Sequence, residues 1–158
     1  MQIVVDPLSG PEIAGLLREH LDEMYRLSPP ESVHALDLSK LRKADITFWS
    51  AWSGERLLGC AALRELDGWH GEVKSMRTAH AHRGRGVASG LLRHLLQEAG
   101  QRGYRRLSLE TGTQAEFAPA RRLYERFGFQ YCGPFAHYAE DPCSAYMTRS
   151  LAGTHSEN

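Results

Sequence analysis

Residues 71–101 constrain this chain more than any other stretch. Gly71-Glu72-Val73-Lys74-Ser75-Met76-Arg77-Thr78 reads as a strand, and His82-Arg83-Gly84-Arg85-Gly86 as a turn with two glycines around an arginine. A long amphipathic helix follows at once. Val87, Ala88, Leu91, Leu92, Leu95, Leu96 and Ala99 recur at the spacing of one face of a 3.6-residue period, which predicts a helix over 86–102. Glycine takes positive φ without a Cβ clash and lets another group approach the backbone. The first N–H groups of a helix have no internal partner and stand at the positive end of its dipole. Such an end holds phosphate well, and Arg83 and Arg85 add charge there.

Two common phosphate motifs are excluded. No G-x-x-x-x-G-K-S/T run exists, and the dinucleotide pattern G-x-G-x-x-G fails because Ser89 stands where its third glycine belongs, with Gly90 one place late. The run also lies mid-chain, after several strands. By itself the glycine pair is equally a tight connection between strand and helix.

The surroundings of the turn add to this. Arg83-Gly84-Arg85-Gly86-Val87-Ala88, placed after Val73 to Thr78, resembles the acetyl-CoA signature Q/R-x-x-G-x-G/A of the GCN5-related N-acetyltransferase (GNAT) superfamily, with Ala81 in the first position. Ala120-Arg121-Arg122-Leu123-Tyr124-Glu125-Arg126-Phe127-Gly128-Phe129 resembles the second hallmark, A-x-x-L-Y-x-x-x-G-F. The resemblance runs to about Leu151. It implies an α/β (α+β) GNAT fold: a mixed, mostly antiparallel seven-stranded sheet flanked by about four helices, splayed between the fourth and fifth strands to admit a pantetheine arm. It also implies an acetyl-CoA-dependent N-acetyltransferase working by direct attack in a ternary complex. The acceptor would be a small-molecule amine or an amino-acid-like compound. A protein N-terminal or lysine acetyltransferase is the alternative enzyme. A non-catalytic acyl-CoA-binding module is the alternative of another class, and it would have no need of Tyr124. Relatives of this kind often pair, so the resemblance leaves a homodimer open.

Composition narrows the partners. The 158 residues suit one domain over 1–152 with a frayed tail at 153–158. Lys plus Arg and Asp plus Glu are 19 each, so no global field draws the chain to nucleic acid or an anionic membrane. No apolar run is long enough for a membrane span and Met-Gln-Ile-Val-Val-Asp is no signal peptide, which makes the cytoplasm the expected compartment. Cys60, Cys132 and Cys143 are odd in number and widely spaced, and the histidines show no H-x-x-x-H or H-E-x-x-H run. No metal is expected, His80 and His82 included.

The remaining elements follow from local signals. Gln2 to Asp6 reads as a short strand. Ser9-Gly10-Pro11-Glu12 marks a helix start with Ser9 as N-cap, and the helix runs to about Tyr25, buried along Ile13, Leu16, Leu17, Leu21 and Met24. Ser28-Pro29-Pro30 ends it. Residues 31–43 read as loop with one or two short helices. Ile46–Trp52, Leu57–Leu66 and Trp69–Thr78 read as three antiparallel strands. Gly103 stops the central helix, and Arg106–Thr111 completes a right-handed parallel crossover. A helix over 117–127, a sixth strand over Phe129–Tyr138 interrupted by Gly133-Pro134, and a seventh over Ser144–Ser150 complete the chain.

Roles follow from the resemblance. Backbone N–H groups of Arg83, Gly84, Arg85, Gly86, Val87 and Ala88 would cradle a pyrophosphate. Met76 and Thr78 would pair with the pantetheine, and the Met76 N–H would polarise the acetyl carbonyl. Arg77, on the same cofactor strand, points away from Met76 and Thr78. A period of two places Glu72, Lys74, Met76 and Thr78 on one face. Tyr124 matches the general acid; its spacing from Phe127 equally fits plain packing. Glu72 is the candidate base, acting through water, or simply pairs with Lys74. Glu110 is a second candidate, and an amine neutralised by desolvation needs neither. Glu31 and His34 share one face of a helical turn beside the acceptor. His137 and Tyr138 belong to a 135–142 loop covering it.

Overall fold

The computed structural model describes residues 1–151, so the tail expected over 153–158 and the last residue of the expected domain lie outside them. Short turns carry the first half of the chain into a meander. Strands β1 (Gln2–Val5), β2 (Ile46–Ser53), β3 (Arg56–Asp67) and β4 (His70–Thr78) are paired antiparallel in sequence order. Helices α1 (Pro11–Leu27) and α2 (Leu38–Leu41) fill the long connection between β1 and β2. Helix α3 (Val87–Gln101) then crosses over to β5 (Arg106–Gly112), which lies parallel to β4. Helix α4 (Ala118–Arg126), β6 (Gln130–Cys132) and β7 (Ser144–Ser150) complete a seven-stranded mixed sheet of order β1-β2-β3-β4-β5-β7-β6. Among the described residues no helix is long and apolar enough to cross a membrane.

Each face of the sheet buries one helical layer. On one face Leu91, Leu92, Leu95 and Ala99 of α3 pack on Trp49, Ala61, Leu63, Leu107 and Met147. On the other, Ile13, Leu16 and Leu17 of α1 and Leu41 of α2 pack on Phe48, Cys60 and Ala62. Each fully buried leucine contributes ~2 kcal/mol relative to exposure. Cys60 is a core residue whose thiol burial pushes far up.

Three expectations need correcting. The residue before α1 is Gly10, in extended conformation with no side-chain cap; Ser9 does not cap, and Pro11 itself opens the helix. The sixth strand is only Gln130–Cys132 and does not reach Tyr138. Pro134 has no N–H for a ladder, and residues 133–143 form a loop that turns inward to the site.

The third correction matters most. In β4, Arg77 pairs with Cys60 and Lys74 with Ala62, so Ser75 and Met76 together face Ala61. This is a β-bulge, and Ser75 sits at φ 53°, in the left-handed region. The extra residue reverses the alternation. Lys74 and Arg77 both face α1, beside Ala62 and Cys60, while Met76 packs into the α3 layer. Glu72 and Lys74 therefore do not share a face with Met76, although Arg77 and Met76 do point to opposite sides.

The sheet opens where the bulge lies. Strand β4 pairs with β5 only from His70 to Val73, opposite Arg106 to Leu109. Beyond that, β5 keeps its antiparallel pairing to β7 as far as Gly112, and β4 goes its own way. The gap between the fourth and fifth strands is the expected splay.

Candidate active site

One cavity of about 800 Å³ runs through that gap, from the glycine turn to the loop after α1. At the turn the backbone forms the wall. Gly84 and Gly86 take φ 78° and 79°, and a Cβ on either would point into open space. Gly86 is the left-handed residue immediately before α3 and gives the helix no side-chain cap. The unpaired N–H groups of the first helical turn thus belong to residues lining the cavity: Val87, Ala88 and Ser89. Gly59 of β3 makes this possible, because a Cβ there would lie 2.6 Å from the Arg77 carbonyl oxygen and 3.0 Å from Val87 Cγ1. The cradle fits a pyrophosphate: it is open, donor-rich and at a helix N-terminus.

Charge near the turn is tied to α1. Glu23 accepts from the Arg77 guanidinium and, at 3.4 Å, from Arg83, while Glu19 lies 3.3 Å from Arg77. Burial works to raise the Glu23 pKa, but the bonded Arg77 and its neighbours outweigh it and hold the carboxyl below its ordinary value. Met76 and Thr78 line the cavity here. Across the gap stands Tyr124 of α4, nearly buried, with its ring edge-on to Phe129. Burial, with Glu110 nearby, pushes its phenol well above the usual range and keeps it protonated.

The far end is built from side chains. Glu72 is completely buried. Its Oε2 accepts from the Tyr138 hydroxyl at 2.5 Å and lies 3.6 Å from Lys74 Nζ, whereas its Oε1 has no hydrogen-bond partner. Lys74 donates to the His34 carbonyl at 3.0 Å and to the Tyr138 oxygen at 2.9 Å. Glu110 accepts from Ser144 Oγ at 2.8 Å, and burial raises its carboxyl from 4.5 to about 7. His20, buried on α1, is pushed down to about 4 by burial and then Arg77, so it stays neutral near neutrality. A hydrogen bond from Ser32 Oγ to Asp141 Oδ2 at 2.7 Å joins the loop after α1 to the loop before β7.

The structure gathers most of the expected residues. Glu72, Met76, Arg77, Thr78, Arg83, Gly84, Gly86, Val87, Ala88, Tyr124 and His34 all line the cavity. Four do not. Arg85 is exposed beside His82, and Glu31 is exposed on a single 3-10 turn at Pro30–Ser32, too short to carry it inward. His137 lines a smaller hollow with Asp45 and Arg64 and stacks on Tyr138. Tyr138 stands behind Glu72 and Lys74, bonded to both, rather than in the cavity wall. Sequence reasoning missed His20 and the Ser32–Asp141 link, which no motif marks.

Comparison with known proteins identifies the family and the fold. Residues 13–129 match the model of the Acetyltransferase (GNAT) family. The uncharacterised N-acetyltransferase YsnE of Bacillus subtilis is 59% identical over 151 residues, covering 96% of this chain and all of its own. A crystal structure from Klebsiella pneumoniae, assigned as an acyl-CoA N-acyltransferase, superposes with a TM-score of 0.79 at 30% identity, covering 95% of this chain and 97% of its own. A GNAT family acetyltransferase from Elizabethkingia anophelis, solved with acetyl-CoA bound, shares the fold at a TM-score of 0.66 and 18% identity, covering 95% and 97%.

Proposed function

This chain belongs to the GNAT acetyltransferase family, and on that premise we propose that it transfers acetyl from acetyl-CoA to the amine of a small molecule in a ternary complex. The observation that carries the reading is the single cavity joining a phosphate cradle at α3 to a roofed pocket holding two carboxylates. The acetyl-CoA bound in the Elizabethkingia relative supports the choice of donor.

The residues divide the work. Gly84, Gly86, Val87 and Ala88 hold the pyrophosphate through backbone N–H groups, and Arg83 supplies charge. The bulge breaks regular pairing of β4 with β3 at Met76, whose N–H is our candidate to polarise the acyl carbonyl, worth ~3 kcal/mol for one such donor. When bound, acetyl-CoA supplies an acyl carbon that gains a C–N bond as its C–S bond breaks. Glu110, tuned to about 7, takes the proton that the amine must lose. Glu72, buried with Tyr138 and Lys74, sets the charge beside the amine. Tyr124 delivers a proton to the departing sulfur. The Ser32–Asp141 roof favours a small acceptor over a peptide.

Thermal unfolding tests the donor. Acetyl-CoA at ~100 times its Kd adds ~2.7 kcal/mol and raises Tm, while NADH and ATP leave it unchanged. A shift with NADH and none with acetyl-CoA would overturn the reading.

A further inference from the structure

We infer that the acceptor is a primary amine with no carboxylate on the carbon bearing its nitrogen, a decarboxylated amine rather than an amino acid. The inference rests on the acetyl-transfer reading and names the substrate class of the same pocket.

The argument is a count of charges. Glu72, Lys74 and Glu110 line the acceptor end, and Lys74 is the cation paired with Glu72. Lys74 is already committed: its Nζ donates to the His34 carbonyl and the Tyr138 hydroxyl, and its remaining N–H faces Glu72 Oε2 at 3.6 Å. The other cations lining the cavity serve elsewhere. The charge of Arg77 is met by Glu19 and Glu23, although its Nε keeps one free N–H. Arg83 belongs to the glycine turn and shares Glu23; Arg26, at the rim, pairs with Glu23 at 3.6 Å. Arg126 stands in the last turn of α4. His20 and His34 are both shifted down, first by burial, and add no positive charge near neutral pH.

An ammonium finds a carboxylate here: Glu110 lines the cavity, and the Glu72–Lys74 pair lies buried in the same wall. A carboxylate one carbon away from that ammonium finds the reverse. It would be desolvated beside Glu110, which ionises through about pH 7, and beside a Glu72 whose cation is already committed, with no cation free to meet it.

The test uses matched pairs on the full chain with acetyl-CoA: tryptamine against tryptophan, tyramine against tyrosine, agmatine against arginine. Thiol release gives kcat/KM, and Tm of the protein with CoA and each amine gives binding without turnover. The expected result is kcat/KM higher by ~100-fold or more for at least one carboxyl-free member, the scale of one buried charge left unpaired, with the same order in the Tm shifts. Glu72→Gln should raise its KM and narrow the gap, because Lys74 loses its carboxylate. Equal or reversed preference overturns the inference and leaves acetyl transfer standing. Acetyl-CoA binding with no amine of either set turned over or stabilising also overturns it. No Tm shift with acetyl-CoA overturns the acetyl-transfer reading itself.

Discussion

The two ends of the cavity are built in different ways. The cofactor end is backbone: two glycines at positive φ and the first turn of α3, with Arg83 and Arg85 exposed around them. The acceptor end is side chain: Glu72, Lys74, Tyr138 and His34 come from three separate segments and close into one buried network. A backbone site is fixed by local conformation and asks little of residue identity beyond glycine. A side-chain site depends on contacts between residues 64 and 66 positions apart, so it depends on the identity of each of them.

That contrast can be broken at several points. Gly86→Glu should weaken acetyl-CoA binding by ~100-fold or more, since it forces a side chain into the left-handed position and puts a like charge at the phosphate. Calorimetry with retained micromolar affinity would show that the cradle is elsewhere. Glu72→Gln should lower kcat/KM for the amine ~100-fold while the acetyl-CoA Kd stays put; a parallel loss of both would mean that the two ends are not separable. Tyr124→Phe should cut kcat ~10- to 100-fold with both affinities near wild type, and an unchanged single-turnover rate would remove it as the acid.

Smaller effects sharpen the comparison. Glu110 has a folded pKa of about 7, above its ordinary 4.5, so the folded state holds its proton more tightly. Its stabilising contribution is complete below pH 4.5 and is lost as pH rises through 7, while kcat/KM gains a limb rising through the same region as the base ionises. Glu110→Gln should flatten the stability slope across that window and remove the limb; a limb unmoved by the substitution assigns it to another group. Ser32→Ala removes one roof hydrogen bond worth ~1 kcal/mol, so KM for the amine should rise a few-fold with the acetyl-CoA Kd constant.

The same contrast governs what could be read in the sequence. The crossover of β4, α3 and β5 was legible because the apolar period and the glycines are local signals, and Gly84, Gly86, Val87 and Ala88 stand where the motif puts them. The pairing of Glu72 with Lys74 was legible, but its hydrogen bond to Tyr138 was not, since Tyr138 lies in a segment that reads as strand and folds as loop. Glu31 failed because one 3-10 turn carries no helical face. The bulge at Ser75 was invisible. Nothing about serine announces positive φ, and the alternation rule assumes an unbroken ladder.

In the proposed reaction that bulge lets one strand serve two substrates. Before Ser75, β4 turns Glu72 and Lys74 to the α1 side; after it the parity has flipped, and Met76 lies toward α3. The length of residues 74–77 is therefore as much a part of the chemistry as their identity. Deleting Ser75 would leave the composition nearly intact and keep Lys74 opposite Ala62 and Arg77 opposite Cys60, but it would close the bulge and return Met76 to regular pairing opposite Ala61, so that its N–H is no longer set apart from the ladder. Protein engineers who alter this strand should treat its residue count as a fixed parameter and vary only the letters.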